Sequence, residues 1–382
     1  MKRIIYLLIS LTLLLCSCNS NQKKQAKLNG DIVSLEHAKL FDITRNKDYS
    51  LINTYEQSGK KFCSILIIKN DKAKNLPKAD FVVKNPIKSI AILSSTHIGF
   101  LEALDELDKI TGSSNPHRFY NKKLLKKFEH GDIINIGDDM KCNIESMIAL
   151  KPDVIFTTGY EYNYNLKKIL LKADIPFIPI SEWKESTILG RTEWIKFFGE
   201  FFDKGDKAAS LFHSLDNKYT KLKELTQNLK NKPSVLWGSN FKGTWYMPGG
   251  KSYMGQMLVD AGANYKFRND STRGSIHMNI ENVIETMQDA EYWLSPSAFS
   301  IAEMKKQDKH YHIFKALKNK QVYNYDKRIN PKGYNDYWES GIMHPDIILK
   351  DIIHILHPDL FKNYEMYYFH KLPDTSEFKR DY

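Results

Sequence analysis

Two short segments of the chain repeat each other, and this repeat constrains the fold more than any other sequence feature. Residues 143–153 and 279–289 share Asn, Ile, Glu, a second Ile and Asp at the same spacing. Each copy begins with an asparagine that can cap a helix, continues with an apolar helical face and leads into a short apolar run typical of a buried strand. The copies are too far apart for a solenoid, whose period is roughly 20–50 residues. The pattern predicts two related lobes, a cleft between them, and Glu145 and Glu281 at equivalent places on the two lobes.

The N-terminus has the features of a secretion signal. Two basic residues precede an apolar stretch over residues 4–15, which is shorter than the roughly 20 residues of a membrane span. Ser17 and Cys18 then resemble the cleavage site of a bacterial lipoprotein, where a small residue precedes the cysteine that receives the lipid. Cys16 makes this site imperfect, and an ordinary cleaved signal is the alternative. We expect residues 1–17 to be removed and Cys18 to carry a lipid, which places the protein on the periplasmic side as a membrane-anchored lipoprotein. The sequence does not decide which membrane leaflet holds the lipid.

The charge of the chain limits the classes of partner. The formal net charge is +11, and lysines are spread along the chain without a nucleic-acid motif. A moderately basic surface favours anionic ligands or a membrane face, and nucleic acid is not expected as a partner. Cys63 and Cys142 remain after processing, and their separation in sequence does not decide whether they form a disulfide.

The order of apolar patterns predicts an α/β protein. Two strands are expected near 49–55 and 62–69, and a further strand is expected over 176–180, where two prolines make it a candidate for a sheet edge. A helix of more than twenty residues, over 206–229, carries apolar residues three or four positions apart. Such a helix is about 36 Å long and can act as a strut between two lobes. The predicted divisions are a tether (18–30), an N-terminal lobe with a leading strand segment (31–190), linking and backbone helices (191–232), a C-terminal lobe (233–360) and a tail of unclear role (361–382).

Residues that follow predicted strands are the candidates for ligand binding, because ligands of open α/β sheets lie beyond the carboxyl ends of the strands. These loops are rich in Trp and Tyr, which suit a planar or macrocyclic ligand because they bury much area with few rotatable bonds. Any single one of these aromatics can instead be ordinary packing. The candidates at these positions are His97, Tyr160, Tyr162, Trp183, Trp245, Tyr246, Arg328 and Trp338, and a further candidate, Arg273, lies in a polar loop before the second repeat unit.

From about Pro86 to Leu360 the chain resembles the substrate-binding proteins of ABC importers that bind iron–siderophores, haem or cobalamin. The resemblance rests on several motifs in the family's order: SSTH at 94–97, the repeat unit at 143–156, PGGKSY at 248–253, DAG at 260–262, HPD at 344–346 and ILHPDL at 355–360.

The resemblance implies two Rossmann-like lobes joined by a single long backbone helix, the class III arrangement. It also implies that Glu145 and Glu281 form salt bridges with arginines of an ABC permease. Each glutamate lies near a helix start, where the helix dipole favours a carboxylate. The alternative is that each one only stabilises its own helix. The implied protein is a monomer that captures a small-molecule metal complex without a cofactor of its own.

The identity of the ligand is less constrained. An anionic siderophore complex or haem needs arginine in the cleft, and Arg273, with Arg328 next, is the preferred anchor among Arg191, Arg268, Arg273, Arg328 and Lys251. His97 can ligate a metal centre or only donate a hydrogen bond. The other histidine pairs lack further partners at metal spacing, so no metal site is expected. We expect a ferric siderophore, with cobalamin or haem as the alternative.

Two other classes of function were weighed. The sequence has none of the common hydrolase, phosphate-binding or dinucleotide-binding motifs, so the chain is not expected to be an enzyme. A lipid-anchored carrier that passes its ligand to a partner other than an ABC permease would keep the fold and the cleft. It would give Glu145 and Glu281 no docking role.

Overall fold

The residues that the structure describes form four β-sheets and a set of helices, arranged as two lobes with an added N-terminal sheet. The computed structural model describes residues 30–138, 142–159 and 164–375, with the side chains of 164 and 165 excepted. Within these ranges no helix is both long and apolar enough to cross a membrane.

The strands in chain order are β1 (Asp31–Ile32), β2 (Phe41–Arg45), β3 (Tyr49–Tyr55), β4 (Lys61–Ile68), β5 (Phe81–Lys84), β6 (Ile90–Ile92), β7 (Ile110–Ser113), β8 (Ile134–Asn135), β9 (Val154–Thr158), β10 (Phe177–Ile180), β11 (Val235–Trp237), β12 (Asn240–Phe241), β13 (Thr244–Pro248), β14 (Ser275–Met278), β15 (Tyr292–Leu294), β16 (Val322–Asn324) and β17 (His370–Lys371).

The α-helices are α1 (Thr96–Ala103), α2 (Lys122–Glu129), α3 (Ile144–Leu150), α4 (Tyr164–Lys172), α5 (Ile188–Thr192), α6 (Trp194–Phe201), α7 (Gly205–Gln227), α8 (Tyr253–Asp260), α9 (Ile280–Met287), α10 (Ile301–Gln307), α11 (Lys315–Lys318) and α12 (Pro345–Leu356). Short 3₁₀ helices occupy Leu107–Lys109, Pro116–Arg118, Glu182–Lys184, Lys309–Ile313, Asp336–Trp338, Gly341–Met343 and Pro358–Phe361.

The first lobe is built on a parallel sheet in the order β10-β9-β6-β7-β8. Its middle strands are apolar on both faces because helices cover both sides, as a parallel sheet requires. The two-proline strand expected at an edge does lie at the edge, as β10, where the missing amide hydrogen of Pro179 costs least.

The second lobe is built on the sheet β11-β15-β16-β17, in which β17 runs antiparallel to the others. A separate antiparallel sheet, β12-β13-β14, lies beside it. The β17 strand comes from the stretch predicted as a tail, and Tyr368, Phe369 and Leu372 around it are buried in the core of this lobe. Residues 364–372 are therefore part of the second lobe.

The repeat seen in the sequence is also a structural repeat. Asn143 caps α3 by accepting a hydrogen bond from the Ser146 amide at 3.0 Å, and Asn279 caps α9 by accepting one from the Asn282 amide at 2.9 Å. Each helix leads into a strand of its lobe's parallel sheet, β9 or β15. The predicted pair of related lobes is confirmed.

The long helix α7 extends over 23 residues and starts and ends close to the predicted limits. Phe212 packs in the apolar core shared by the first lobe and the leading sheet, whereas Tyr219 packs in the core of the second lobe. One continuous helix therefore contributes to both cores. The predicted fold class, two α/β lobes joined by a single long helix, is confirmed.

The leading segment forms a five-stranded sheet, β1 to β5, of which the sequence predicted two strands. Buried carboxylates in and just before the linking helices hold the backbone just before β2. Glu193 accepts hydrogen bonds from the amides of residues 36–38 at 2.9, 2.7 and 2.7 Å. Glu185 accepts from the amides of residues 39 and 40, and Glu200 pairs with Arg45. Because a buried carboxylate is costly unless it is hydrogen-bonded, these contacts make the leading sheet an integral part of the first lobe.

A segment of the second lobe, residues 328–343, crosses to the first lobe, and we call it the crossing segment. Ile342 is buried in the first lobe's core, and Glu339 accepts hydrogen bonds from the amides of Tyr120 and Asn121 at 2.6 and 2.8 Å. A Cβ on Gly99 would come within 2.5 Å of the Glu339 carbonyl oxygen, so only glycine permits this approach. The lobes are thus joined by the crossing segment as well as by α7.

Candidate functional site

A cavity of about 560 Å³, which we call the main cleft, lies where the two lobes face each other. The first lobe and the leading sheet contribute Gln57, Trp183 and Lys184. The second lobe contributes the rest: Trp237, Tyr246, Pro248, Ser252, Tyr253, Met254, Arg273, Gly274, Ser275, His277, Ser295, Tyr325, Tyr337 and Trp338.

The sheet of the second lobe places the ends of its three parallel strands in the main cleft. Trp237 ends β11, Ser295 follows β15 and Tyr325 follows β16, and all three line the cavity. The carboxyl ends of parallel strands meet at one edge of a sheet, which is where ligands of open α/β folds bind. The placement agrees with the sequence-based expectation.

A smaller cavity of about 190 Å³ adjoins the main cleft at Trp338, which lines both. Its walls follow β6 and β7 of the first lobe and are rich in serine, at residues 94–95 and 113–114. Arg118 and Glu339 also line this cavity. The ends of the parallel strands of both lobes therefore face the space between the lobes.

The main cleft is aromatic and cationic. Seven of its lining residues carry aromatic rings: Trp183, Trp237, Tyr246, Tyr253, Tyr325, Tyr337 and Trp338. Arg273 and Lys184 are its full cations, and no carboxylate lines it within the part of the chain that the structure describes. Such a surface favours an anionic ligand with flat or ring-bearing groups.

Two tyrosines of the main cleft, Tyr325 and Tyr337, are neutral hydrogen-bonding groups. Burial raises the pKa of Tyr325 to about 12 and raises the pKa of Tyr337 well above its usual value. A phenol that keeps its proton at neutral pH is a poor metal ligand, because metals bind the deprotonated group. These two side chains therefore favour contacts made by hydrogen bonding and ring packing.

Arg191 packs against one of the aromatic residues that line the main cleft. Its guanidinium lies 4.3 Å from the ring centroid of Tyr253, a lining residue, and 3.4 Å from a carboxylate oxygen of Glu182. The same Glu182 oxygen accepts a hydrogen bond from the Thr96 hydroxyl at 3.1 Å. This chain of contacts links the start of α1 in the first lobe to an aromatic wall in the second.

Four of the candidate residues from the sequence meet in the main cleft: Trp183, Tyr246, Arg273 and Trp338. Tyr246 contacts the His277 ring edge-to-face at a centroid distance of 4.8 Å, and Trp338 packs against Tyr337 at 5.1 Å. Tyr160, Tyr162 and the lipidation candidate Cys18 lie outside the described residues.

The structure places the other three candidates away from the surface of the main cleft. Trp245 is fully buried and donates its indole hydrogen to the Trp237 carbonyl at 2.7 Å, because strand alternation turns Tyr246, and not Trp245, toward the cavity. His97 is fully buried beside Phe156 and Phe198. Arg328 pairs with Asp336 at 2.7 Å.

His97 has no hydrogen-bond partner for either ring nitrogen within the described residues, and burial lowers its pKa to about 3. It is therefore a neutral ring in an apolar core, and neither of the roles expected for it, metal ligand or donor to the ligand, fits this position. The Arg328 guanidinium lies 4.2 Å from the ring centroid of Tyr367 and 5.5 Å from that of Tyr120 in the first lobe.

Several lining residues were not among the candidates. Tyr253 starts α8, Tyr325 follows β16 and Tyr337 lies in the crossing segment. Tyr337 falls within the strand-end loops that the sequence singled out. Gln57 comes from the hairpin between β3 and β4, and no local signal connects it with a cleft formed by residues far along the chain.

The two docking candidates have equivalent positions. Glu145 and Glu281 are each the second residue of a capped helix, and both side chains are exposed. Their carboxylates lie in the first helical turn, where the dipole stabilises negative charge. The structure thus presents the same group from the same motif on each lobe.

No group of three or more His, Cys, Asp or Glu side chains is placed to hold a metal ion in residues 30–138, 142–159 and 164–375. Within these ranges no disulfide joins Cys63 to Cys142, and burial raises the pKa of the Cys63 thiol to about 11.

Comparisons with known proteins agree with this geometry. A family model described as periplasmic binding protein matches residues 90–329. An uncharacterized lipoprotein of Methanocaldococcus jannaschii is 28% identical over 333 residues, which cover 83% of this chain and 77% of that protein.

Solved structures share the fold at low sequence identity. The molybdate periplasmic binding protein MolA of Haemophilus influenzae superposes with a TM-score of 0.57 at 21% identity, over 74% of this chain and 90% of that one. The triscatecholate siderophore binding protein FeuA of Bacillus subtilis, complexed with ferri-bacillibactin, gives a TM-score of 0.53 at 18% identity, over 76% and 99% of the two chains. Since the family model spans well over half of the sequence, the protein belongs to the family of periplasmic binding proteins of ABC transporters.

Proposed function

We propose that the protein captures a ferric siderophore in the main cleft and delivers it to an ABC permease. The observation that carries this proposal is the lining of the cleft, which combines seven aromatic rings with Arg273 and Lys184 and has no carboxylate among its described residues. The mechanism is capture and docking, without covalent chemistry and without a cofactor.

The charge and size of the cleft favour this ligand class. Ferric complexes of catecholate chelators are anionic and carry flat rings at their surface, which match guanidinium, ammonium and aromatic groups. Small-molecule sites commonly measure about 300–1,000 Å³, and the volume of about 560 Å³ lies in this range. A small oxyanion such as the one bound by the Haemophilus influenzae protein would leave most of these rings without contact.

Delivery would use Glu145 and Glu281. Two exposed carboxylates at equivalent positions of the two lobes can each accept a bidentate arginine from a permease. A lipid on Cys18 would keep the protein at the membrane, and the relative described as a lipoprotein supports this anchor. The protein would act as a monomer on the periplasmic side.

Tryptophan fluorescence tests the ligand class directly. Trp183, Trp237 and Trp338 line the main cleft, so a coloured ligand bound there should quench them. The chain lacking residues 1–18 would be titrated with ferric enterobactin, haemin and cyanocobalamin. We expect saturable quenching by the ferric catecholate at the lowest concentration.

The other outcomes separate the alternatives. Tighter binding of haemin or cyanocobalamin would replace the siderophore with that ligand. No saturable quenching by any of the three would reject the capture of large metal complexes in this cleft. The Trp183→Phe and Trp338→Phe variants should each lose part of the quenching, whereas Trp194→Phe, which alters a buried core residue, should retain it.

A further inference from the structure

The hairpin that joins β3 and β4 reaches the ligand-binding region from outside the matched family segment. Gln57, in the turn of this hairpin, lines the main cleft, whereas the family match begins at residue 90. The Gln57 side-chain amide donates a hydrogen bond to the Lys184 carbonyl oxygen at 2.7 Å. The leading sheet therefore supplies part of the wall of the main cleft.

A second cavity of about 580 Å³ lies on the other side of this contact, and we call it the hairpin compartment. The hairpin supplies one wall and the ends of β9 and β10 supply the other. The compartment is lined by Tyr55, Glu56, Gln57, Ser58, Phe62, Gly159, Ser181 and Lys184.

Gln57 and Lys184 line both cavities, so the two spaces meet at this pair. The Lys184 ammonium is 5.0 Å from the ring centroid of Trp183, a wall of the main cleft, and 3.3 Å from the carbonyl oxygen of Gly159, a wall of the hairpin compartment. Its charge is thus available to a ligand that occupies either space. The ring contact and the carbonyl contact both orient this side chain.

We propose that the hairpin compartment is a second ligand subsite, which selects metal complexes that carry a polar arm. This inference rests on the proposed function, because the metal-bearing core of the ligand would occupy the main cleft. The arm would pass the Gln57–Lys184 contact and lie between the hairpin and the ends of β9 and β10.

The lining of the hairpin compartment determines the kind of arm. Hydroxyl groups of Ser58 and Ser181, the Gln57 amide, the Glu56 carboxylate and the Lys184 ammonium offer both donors and acceptors. The rings of Tyr55 and Phe62 add flat apolar area. This combination suits a glycosyl or nucleotide arm, which presents many hydroxyl groups and flat faces, and does not suit a purely aliphatic chain.

Two matched ligand pairs test the inference by isothermal titration calorimetry. Ferric enterobactin and its diglucosylated form share the catecholate core and differ in glucosyl arms. Dicyanocobinamide and cyanocobalamin share the corrin and differ in the nucleotide arm. If the metal-bearing core of a pair binds, we expect the ligand with the glucosyl or nucleotide arm (the armed member) to bind about tenfold tighter than the ligand without it (the armless member).

Two variants of the hairpin test whether this difference in affinity arises in the hairpin compartment. Ser58→Trp fills the hairpin compartment, whereas Lys60→Trp adds the same side chain to the same hairpin at a residue that does not line it. Ser58→Trp should abolish the preference for the armed ligand and leave the affinity for the armless ligand unchanged. Lys60→Trp should keep the preference.

The failures of the two proposals are distinguishable. Equal binding of the armed and armless members, or an equal loss of both in Ser58→Trp, would overturn the second subsite while leaving capture in the main cleft intact. If no member of either pair binds the wild-type chain, the metal-complex proposal fails and the subsite proposal fails with it. A preference for the armless member would also overturn the subsite.

Discussion

Arg273 is the single side chain on which the charge preference of the main cleft depends most. It lies at the cavity wall beside Gly274 and Ser275, at the start of β14, and its side chain is exposed to the space a ligand would fill. Lys184, by contrast, already contacts a carbonyl oxygen and an indole ring. A planar guanidinium with free donors is the better partner for an anionic chelate.

Replacing Arg273 with alanine should weaken binding of the ferric catecholate about 10–100-fold, because a charge-assisted hydrogen bond contributes roughly 1.5–3 kcal/mol. Affinity measured by fluorescence quenching checks this. Arg268→Ala is the matched control, since Arg268 is exposed and its guanidinium pairs with Asn264 at 2.6 Å outside the main cleft. Equal effects of the two substitutions would argue against Arg273 as the anchor.

His97 should make the folded protein sensitive to acid. Burial lowers its pKa to about 3, while the unfolded chain binds the proton near the usual pKa of 6.5. Between these values the unfolded state binds more protons, so this group's contribution to stability is lost as the pH falls below about 6.5, by about 2 kcal/mol at pH 5. Urea unfolding of the wild type and of His97→Leu at pH 7 and pH 5 measures the effect.

The His97→Leu variant should lose less stability than the wild type on going from pH 7 to pH 5. His130→Asn, which replaces an exposed histidine at the end of α2, should keep the wild-type response. If His97→Leu and the wild type lose stability in parallel, His97 is not the group responsible.

At the scale of elements, the crossing segment determines how the lobes are held. Glu339 brings a carboxylate from the second lobe to the amides of Tyr120 and Asn121 in the first, and Asn330 donates to the Phe119 carbonyl at 3.0 Å. Trp338, between them, lines both interlobe cavities. A ligand that contacts Trp338 therefore touches the same segment that joins the lobes.

Glu339 should make the stability of the folded protein depend on pH with the opposite sign to the effect of His97. Burial, with Asp336 and Glu102 nearby, raises the pKa of Glu339 to about 8. Between pH 4.5 and 8 the folded state keeps a proton that the unfolded state releases, so the contribution to stability falls as the pH rises, by at most roughly 1.4 kcal/mol per pH unit. In Glu339→Gln this decline should disappear, which urea unfolding at pH 5.5 and 8 would show.

A control for this experiment is Glu129→Gln, an exposed glutamate at the end of α2, which should retain the wild-type slope. If the Glu339→Gln variant declines as steeply as the wild type, the Glu339 carboxyl is already ionised in the folded protein. The two backbone hydrogen bonds would then outweigh its burial.

The elements differ in how far local sequence determines them. The long helix, the capped repeat helices and the edge strand with Pro179 were predicted, because periodicity, caps and proline act locally. The β12-β13-β14 sheet was missed, since β13 pairs with β14 about thirty residues later and its residues read as a loop. Because the strand was missed, Trp245 was predicted to line the cleft together with Tyr246. Neighbouring side chains of a strand point to opposite faces, so only one of the two can do so.

The candidate site was predictable in outline. Strand ends rich in aromatics predicted Trp183, Tyr246 and Trp338, and the expectation of a cationic anchor predicted Arg273. The contribution of Gln57, and the carboxylates that hold the leading sheet, depend on contacts between residues more than a hundred positions apart. Such contacts leave no periodic trace in a single sequence, so only the structure reveals them.

At the scale of the whole molecule, Glu145 and Glu281 should act in transport and not in ligand binding. Reversing both to lysine should abolish uptake by cells that depend on this protein while leaving the ligand affinity of the purified protein within about twofold. Lysine would repel permease arginines, and like charges in contact cost several kcal/mol. Uptake of iron-labelled siderophore, measured beside calorimetric affinity, checks both parts.

The matched control reverses Glu129 and Glu224, which are exposed but lie outside the repeat units. This variant should transport normally. Unchanged uptake after reversal of Glu145 and Glu281 would favour a carrier that transfers its ligand to a different partner. Lost affinity in that variant would show that the two residues serve the fold or the cleft instead.

The buried carboxylates beneath the leading sheet limit how the protein can be divided or recombined. Glu185, Glu193 and Glu200 lie in and just before the linking helices, yet they accept hydrogen bonds from backbone amides and pair with an arginine that come before residue 50. A fragment trimmed to residues 90–329 would remove Arg45, Ser50 and Lys69 from the fully buried Glu200 and would also lack a wall of the main cleft. Exchange of binding lobes between relatives, in the laboratory or in evolution, would therefore have to carry the leading sheet along as a single inherited unit.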